Sequence, residues 1–402
     1  MSPTSSAFLV SGFRSPVGRY AGALSSIRPD DLAALAIKNV IEDTGIDPAL
    51  IDDVILGNAN GAGEDNRNVA RMAWLLAGYS DTVPGVTVNR LCASGMTAIS
   101  TAAALVNSGQ ADLVIAGGVE SMSRAPWVME KPKNAFSKPG EVFDTSIGWR
   151  FVNPVFKAQE KTTFSMPETA EEVAKVYSIS REAADQFALD SQQKANQAIQ
   201  AGKFEREMFP VPVTDRKGEI SHITADEGPR PGTTMEALDR LRPVVGGGTV
   251  VTAGNSSALN DGSSAVLVAS ERAIEKYGLR ARARIVGNAV AGLAPEIMGI
   301  GPVPATDKLM KRTGWSIDSV DAWELNEAFA SQSLACIDKL HLDTDKVNAW
   351  GGAIALGHPL GSSGARITLT LLNRLETDGG SKGVATMCIG VGQGQALAIE
   401  KV

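Results

Sequence analysis

Nucleophiles and proton carriers are scarce in this chain, with three cysteines and three histidines among 402 residues, so each can be weighed by its surroundings. Cys92 stands in VTVNRLCASGMTAISTAAALV, where an apolar run ends at Asn89 and small, helix-competent residues begin near Ser94. A thiol at a strand-to-helix turn faces the positive end of the helix dipole, which favours thiolate. The sequence therefore predicts either a nucleophile or a buried structural cysteine. His358 lies in GGAIALGHPLGSSGARI, among glycines and Pro359, in a predicted loop before a helix that begins near Ser362. It reads as a general base or as a satisfied structural histidine. His222 (EISHIT) and His341 (DKLHLD) sit in polar surroundings and read as surface residues. Cys388, in VATMCIGVGQGQA, ends an apolar strand before a glycine-rich turn, whereas Cys336 in AFASQSLACIDKL keeps core spacing on a helix and reads as packing. Asn326 and Glu327, in WELNEAFA, stand between a strand and a helix. The asparagine either caps that helix or holds a water against a carbonyl oxygen.

Several chemistries fall away. GVGQG nearly matches a dinucleotide fingerprint, but eight residues follow Gly394, too few for the helix and strand of such a unit. Its glycines serve better as a source of free backbone N–H groups for an oxyanion. There is no phosphate-cradling G-x-x-x-x-G-K-[ST] loop and no H-E-x-x-H, and the scattered histidines and thiols predict no metal site. A net charge of −7 without a basic block argues against nucleic acid or an anionic membrane surface as partner. No apolar run approaches the roughly 20 residues of a membrane span. MSPTSSAFLVSGFRSP reads as neither a signal peptide nor an anchor. Three cysteines are too few and too odd in number for a disulfide framework and point to a reducing compartment. A cytoplasmic enzyme acting on small molecules, associating if at all with copies of itself, is the expectation.

The elements that must position these residues come in two copies. Helical periods such as DLAALAIKNVIEDTG (31–45) alternate with β-branched runs such as IDDVIL and ADLVIAGG, the pattern of an α/β layered fold. TGIDPALIDDVILGN (44–58) resembles TGWSIDSVDAWELN (313–326), pairing Asp53 with Asp321 and Asn58 with Asn326; SGMTAI from Ser94 resembles SGARIT from Ser363 at a spacing one residue longer. SAVLVAS around Ala265 matches QALAIEK around Ala396 at a much shorter spacing, which implies an insertion of about 138 residues in the first copy. From about Arg124 to Val251 the chain turns polar and Pro-rich, with a helix-like stretch over Glu168–Ala201. The predicted division is 1–123 with 252–275 as one half, 124–251 as an inserted loop domain, and 276–402 as the other half. A site at the junction would draw residues from both copies.

NRLCASGM, NEAFA, GGAIALGHPLGSSGAR and CIGVGQG, with TAGNSSALNDGSSA (252–265), stand in the order found in thiolases, and the chain resembles that family over essentially its whole length. The resemblance implies a duplicated fold with an inserted loop domain and CoA-dependent cleavage of a 3-oxoacyl-CoA, reversible as a Claisen condensation. It further implies that Cys92 becomes the acyl-enzyme with His358 accepting its proton, and that Cys388 protonates the acetyl-CoA carbanion. The N–H groups of Cys92 and Gly390 would form the oxyanion hole, while His358 and a water held by Asn326 would steady the enolate. CoA is implied as co-substrate rather than resident cofactor, passing near Ser257 and Met166, and a tetramer built from dimers is implied. DTSIGWRFVNP (144–154) and SMPETAEEVA (165–174) resemble the family's 3-oxoadipyl-CoA members of aromatic-compound breakdown, which release succinyl-CoA and acetyl-CoA. Ser165 stands where acetoacetyl-CoA members often carry histidine, and Ala258 where glycine is common in the family. A terminal carboxylate on the acyl chain wants a cation, for which Arg150 and Arg124 are the candidates, with solvated or CoA-phosphate arginines as the alternative. A general 3-ketoacyl-CoA or acetoacetyl-CoA thiolase, a cysteine hydrolase, a non-catalytic CoA-binding relative and a decarboxylating condensing enzyme are the rivals. Cys388 discriminates against the hydrolase and the condensing enzyme.

Overall fold

Apolar runs rich in β-branched residues and alanine form mostly buried strands, and in the computed structural model, which describes residues 6–402, they build one mixed sheet of ten strands. Residues 1–5, the start of the segment read as neither signal nor anchor, lie outside the described residues. From one edge the sheet runs Ala322–Leu325, Lys382–Ile389, Gln393–Lys401, Ala283–Gly292, Ala7–Arg14, Asn260–Ser270, Leu113–Ser121, Asp53–Gly57 and Gly85–Val88, and the short strand Gly18–Arg19 pairs with Asn260–Ser270. The two halves meet antiparallel where Phe8 and Leu9 face Arg284 and Ala283. Each half repeats the same order and sense, and the parallel edge pairing of Gly85–Val88 with Asp53–Gly57 recurs as a single bridge between Trp323 and Val347.

The repeat is in the registry too, one residue away from the sequence pairing of Asp53 with Asp321. The Asp52 carboxylate accepts the backbone N–H groups of Asp112 and Leu113 at the foot of the neighbouring strand, and Asp321 accepts those of Ser381 and Lys382 in the same way. Asp52 is therefore the equivalent of Asp321, and the spacing between the copies becomes the one that Ser94 and Ser363 share. A one-residue slip in a strand exchanges its two faces, so only one of the two pairings puts like with like. With this register Asn326 matches Gly57 rather than Asn58.

Two helices, Ser94–Asn107 and Leu360–Thr377, pack on each other and on strands of both halves, forming with them the largest core cluster. They approach closely because they meet at glycines. A Cβ on Gly95 would lie 2.7 Å from the carbonyl oxygen of Gly361, closer than real Cβ atoms come to backbone. The outer face of the first half is covered by Pro29–Thr44 and Val69–Leu76, that of the second by Pro302–Thr313 and Ala330–Leu340. The amino termini of both inner helices carry the singled-out residues, Cys92 just before one and His358 just before the other.

In the second copy the strands Lys382–Ile389 and Gln393–Lys401 are joined by the tight turn at Gly390–Gly392; in the first, the equivalent strands end at Ser121 and resume at Asn260. Between them lie two hairpins, Trp127–Met129 with Val142–Asp144 and Val211–Thr214 with Ile220–Ile223, and several helices. The helix-like stretch over Glu168–Ala201 consists of two helices, Met166–Val176 and Arg181–Gln200. The break falls at Ser178, whose φ is 55°, and Ser180 caps the second helix by accepting the N–H of Ala183. Likewise the loop around His358 is shorter than predicted: a turn of helix spans Ala353–Leu356, and the long helix starts at Leu360.

Candidate active site

The turn that presents Cys92 is tight. Leu91 adopts φ 47°, and Ser94 closes the turn by accepting the N–H of Arg90 at 2.8 Å while its hydroxyl donates to the Leu91 carbonyl at 2.7 Å. The Cys92 sulfur ends up buried, with the backbone N–H groups of Gly390 and of Cys92 itself directed toward it. Burial dominates those donors and pushes the thiol up to about 11, with the nearby Glu120 carboxylate acting in the same direction. The predicted resting thiolate is thus corrected: the helix end and two N–H groups lower the cost of charge, but desolvation outweighs them. Cys388, at the end of the adjoining strand, is held well above its ordinary value, first by burial and then by Cys92. Gly390, two residues on, supplies the N–H at the Cys92 sulfur, so the first copy's thiol meets a backbone donor from the second.

His358 is held at three points. Its N–H donates to Asn260 Oδ1 at 2.9 Å, and its Nδ1 lies 2.6 Å from the Ser363 hydroxyl, which donates in turn to the Pro359 carbonyl at 2.9 Å. With the serine hydrogen so used, Nδ1–H is the donor and Nε2 carries the lone pair, toward which the Asn326 amide points. Burial lowers the imidazole to about 3, and the Arg366 guanidinium adds to the effect, so the ring is neutral. Asn326 Nδ2 lies 3.4 Å from that Nε2. Asn326 Oδ1 is buried with no hydrogen-bond partner among the described residues. Phe329, not Asn326, is the N-cap of the following helix, so the capping alternative is corrected.

Two hollows border the segment around His358. One, of about 180 Å³, is lined by Cys92, Gly390, Glu120, Asn60, Arg150 and Met166 among others. The larger, of about 640 Å³, lies against Arg19, Arg230, Ser256, Ala258, Asn260 and Gly357, and so borders His358 through the residue before it. A thiol with two backbone donors, a neutral imidazole and a second thiol are the kinds of group that can make and break a thioester and steady an enolate.

Family models for the thiolase N-terminal and C-terminal domains match residues 7–272 and 279–401. The chain belongs to the thiolase family. It is an acyltransferase, and its relatives are full-length ones. The beta-ketoadipyl-CoA thiolase of Pseudomonas aeruginosa is 57% identical, the alignment covering 98% of this chain and 99% of that one. The 3-oxoadipyl-CoA/3-oxo-5,6-dehydrosuberyl-CoA thiolase of Escherichia coli K12 is 53% identical with the same coverage. Among solved structures, the Bacillus anthracis acetyl-CoA acetyltransferase superposes with a TM-score of 0.94 at 39% identity, and human mitochondrial 3-ketoacyl-CoA thiolase with 0.92 at 40%; each covers 100% of both chains.

The remaining predicted residues of this thiolase divide cleanly. Arg150 is half-buried in the Cys92 hollow; its guanidinium donates to Asn60 Oδ1 at 2.7 Å, and no carboxylate pairs with it among the described residues. Arg124 is corrected as a substrate cation: it is spent on Glu64, with Nε at 2.5 Å and a second nitrogen at 2.7 Å, and lines a different hollow. Ser257 donates from both its N–H and its hydroxyl to the Ala328 carbonyl, at 3.0 and 3.1 Å; its neighbours Ser256 and Ala258, not Ser257 itself, face the larger hollow. Met166, the first residue of a helix capped by Ser165, faces the Cys92 hollow rather than the larger one and packs beside Cys388. His222 and His341 are exposed, and Cys336 is buried in the helix Ala330–Leu340, all as read from the sequence. No metal-ligating cluster occurs among the described residues, and no helix there is long and apolar enough to cross a membrane.

Sequence reasoning passed over Glu120 and Asn60. Glu120 accepts the N–H groups of Ala59 at 2.9 Å, Asn60 at 3.2 Å and Gly361 at 2.9 Å, tying the first copy's loop to the second copy's inner helix. Burial raises its carboxyl to about 7 against those donors. The available signal was a lone acid at the end of the apolar run ADLVIAGGVES.

Proposed function

We propose that this thiolase cleaves a 3-oxoacyl-CoA whose acyl chain ends in a carboxylate, 3-oxoadipyl-CoA being the best fit, to succinyl-CoA and acetyl-CoA. The observation that carries the substrate choice is Arg150, a guanidinium in the hollow of the reactive thiol with no carboxylate paired to it among the described residues. Such a group recognises a carboxylate through parallel N–H donors. The names of the Pseudomonas and Escherichia relatives support the same reading.

The Cys92 thiol gives its proton to the neutral His358 as sulfur attacks the 3-oxo carbonyl. The N–H groups of Cys92 and Gly390 receive the oxyanion. As that carbonyl re-forms, the C2–C3 bond breaks and its electron pair becomes the acetyl-CoA enolate. His358 and a water on Asn326 steady the enolate oxygen, and Cys388 gives C2 its proton. The succinyl group remains on Cys92 as a thioester until the thiol of free CoA attacks it, returning a proton to the site and freeing Cys92. A high resting thiol pKa suits this course, because charge forms only when the acceptor carbonyl is in place. The larger hollow beside Ser256 and Ala258, with Arg19 and Arg230 on its walls, supports a CoA channel ending at His358.

The same reading divides the chain into halves 1–123 with 252–275 and 276–402, with 124–251 inserted, which the repeated strand order supports. It places a homo-oligomer, built as a dimer of dimers, in a reducing cytoplasm. Exposed Trp127, Phe136 and Val155 in the insertion support association, and three free thiols support the compartment. Thiolysis with free CoA, comparing 3-oxoadipyl-CoA, acetoacetyl-CoA and a medium-chain 3-oxoacyl-CoA with products identified by mass, tests the proposal. Preference for 3-oxoadipyl-CoA is the expected result; preference for either uncharged substrate overturns the carboxylate reading.

A further inference from the structure

An arginine meant to receive a substrate carboxylate must be held in place without being neutralised, and the surroundings of Arg150 meet that requirement through one side chain. Its guanidinium donates to Asn60 Oδ1 at 2.7 Å. Asn60 is itself locked. Its Nδ2 donates to Thr145 Oγ1 at 3.1 Å, and the single hydrogen of that hydroxyl goes to the Pro126 carbonyl at 2.7 Å, so Thr145 can only accept from Asn60. The amide orientation follows from this count: nitrogen toward Thr145, oxygen toward Arg150. The Asn60 backbone is fixed as well, its N–H on Glu120 Oε1 at 3.2 Å and the preceding N–H on Glu120 Oε2 at 2.9 Å. Asn60 and Arg150 come from different parts of the chain, one from the loop after Asp53–Gly57 and the other from the inserted segment, and both line the hollow.

We propose that Asn60 is a specificity-determining residue that positions Arg150 as a clamp of unspent charge, so that the enzyme selects acyl chains ending in a carboxylate over uncharged ones. A neutral acceptor uses one N–H of the guanidinium and leaves the others, with the full positive charge, for the substrate. An aspartate in its place would be nearly the same shape, yet it would form an internal ion pair with Arg150 and compete with the substrate's carboxylate. The inference rests on the reading of Arg150 given above.

The test compares kcat/KM for 3-oxoadipyl-CoA and for acetoacetyl-CoA in the wild type, Asn60→Asp, Asn60→Leu, Arg150→Met and the Asn60→Asp/Arg150→Met pair, with melting temperatures checked for each. The 3-oxoadipyl-CoA preference is expected to fall about tenfold or more in Asn60→Asp, as for loss of one bond to a charged group. Most of that fall should lie in KM, and Asn60→Leu, which has no acceptor, should fall in the same direction. In the double variant the aspartate should add nothing to Arg150→Met, because the two act as one unit. A wild-type preference in Arg150→Met would remove the reading of Arg150 itself. Loss of preference in Arg150→Met with a wild-type preference in both Asn60 variants would overturn the proposal for Asn60 alone.

Discussion

Burial keeps the His358 imidazole neutral, the form that its proposed role as base requires. Its folded pKa, about 3, lies below the ordinary imidazole value near 6.5, so the unfolded chain binds the extra proton between those limits. The sign follows: stability is full above about pH 6.5 and is lost as pH falls toward 3. A His358→Gln variant should therefore lose less stability than the wild type between pH 6.5 and 4, measured by denaturant midpoints; an equal loss would mean the ring is not buried neutral. For the same reason kcat/KM should show no acid limb of imidazole origin near pH 6.5. Asn326→Ala should lower kcat about 10²- to 10³-fold, the usual cost of one preorganised donor at a developing oxyanion, with a smaller change in KM. Cys92, His358 and Cys388 could be singled out in the sequence because each stands at an element end beside glycines, while the roles proposed for them come from the family resemblance. The resting charge of Cys92 was not, since a helix end is visible in sequence and the depth of burial is not.

Among the elements, the two inner helices set the distance between Cys92 and His358, and glycines set the distance between the helices. Gly95→Ala would place a methyl group 2.7 Å from the Gly361 carbonyl oxygen, backbone that cannot turn away. We expect a loss of about 1–3 kcal/mol, as for overpacking in a core, and a fall in activity beyond what the lost stability explains. Unchanged denaturant midpoint and kcat would contradict the close approach. Strands and helices were legible from their periods, and the duplication from recurring strings. The register slipped by one because Asp52 and Asp53 are adjacent and equally good matches to Asp321; only the hydrogen bonds to Asp112 and Leu113 choose between them. The helix-like stretch over Glu168–Ala201 is helical apart from one break, which the sequence did not reveal because Ser178 in a left-handed conformation leaves no mark that distinguishes it from a helical serine.

At the scale of the whole molecule, the inserted segment is bound to both halves by a buried ionic network. Glu207 accepts from Arg14 Nε at 2.6 Å, Thr370 at 3.1 Å and Asn373 at 2.8 Å, while Asp226 pairs with Arg14 at 2.7 Å. Removing one buried partner leaves charge uncompensated, so Glu207→Ala should cost about 3–5 kcal/mol, read from equilibrium unfolding. No string in the sequence announces this network, because its members lie in segments far apart that only the fold brings together. Arg124 and Arg150 illustrate the same point: both suited a substrate carboxylate on chemistry alone, and only the position of Glu64 disqualified the first. The central claim is a Cys92 acyl-enzyme that favours a chain ending in a carboxylate, and it is tested most directly by incubating the enzyme with succinyl-CoA or butyryl-CoA without acceptor thiol and mapping the adduct by peptide mass. The account predicts succinyl on the Cys92 peptide at higher occupancy than butyryl; a label on Cys388 or on neither cysteine, or butyryl at equal or higher occupancy, would contradict it.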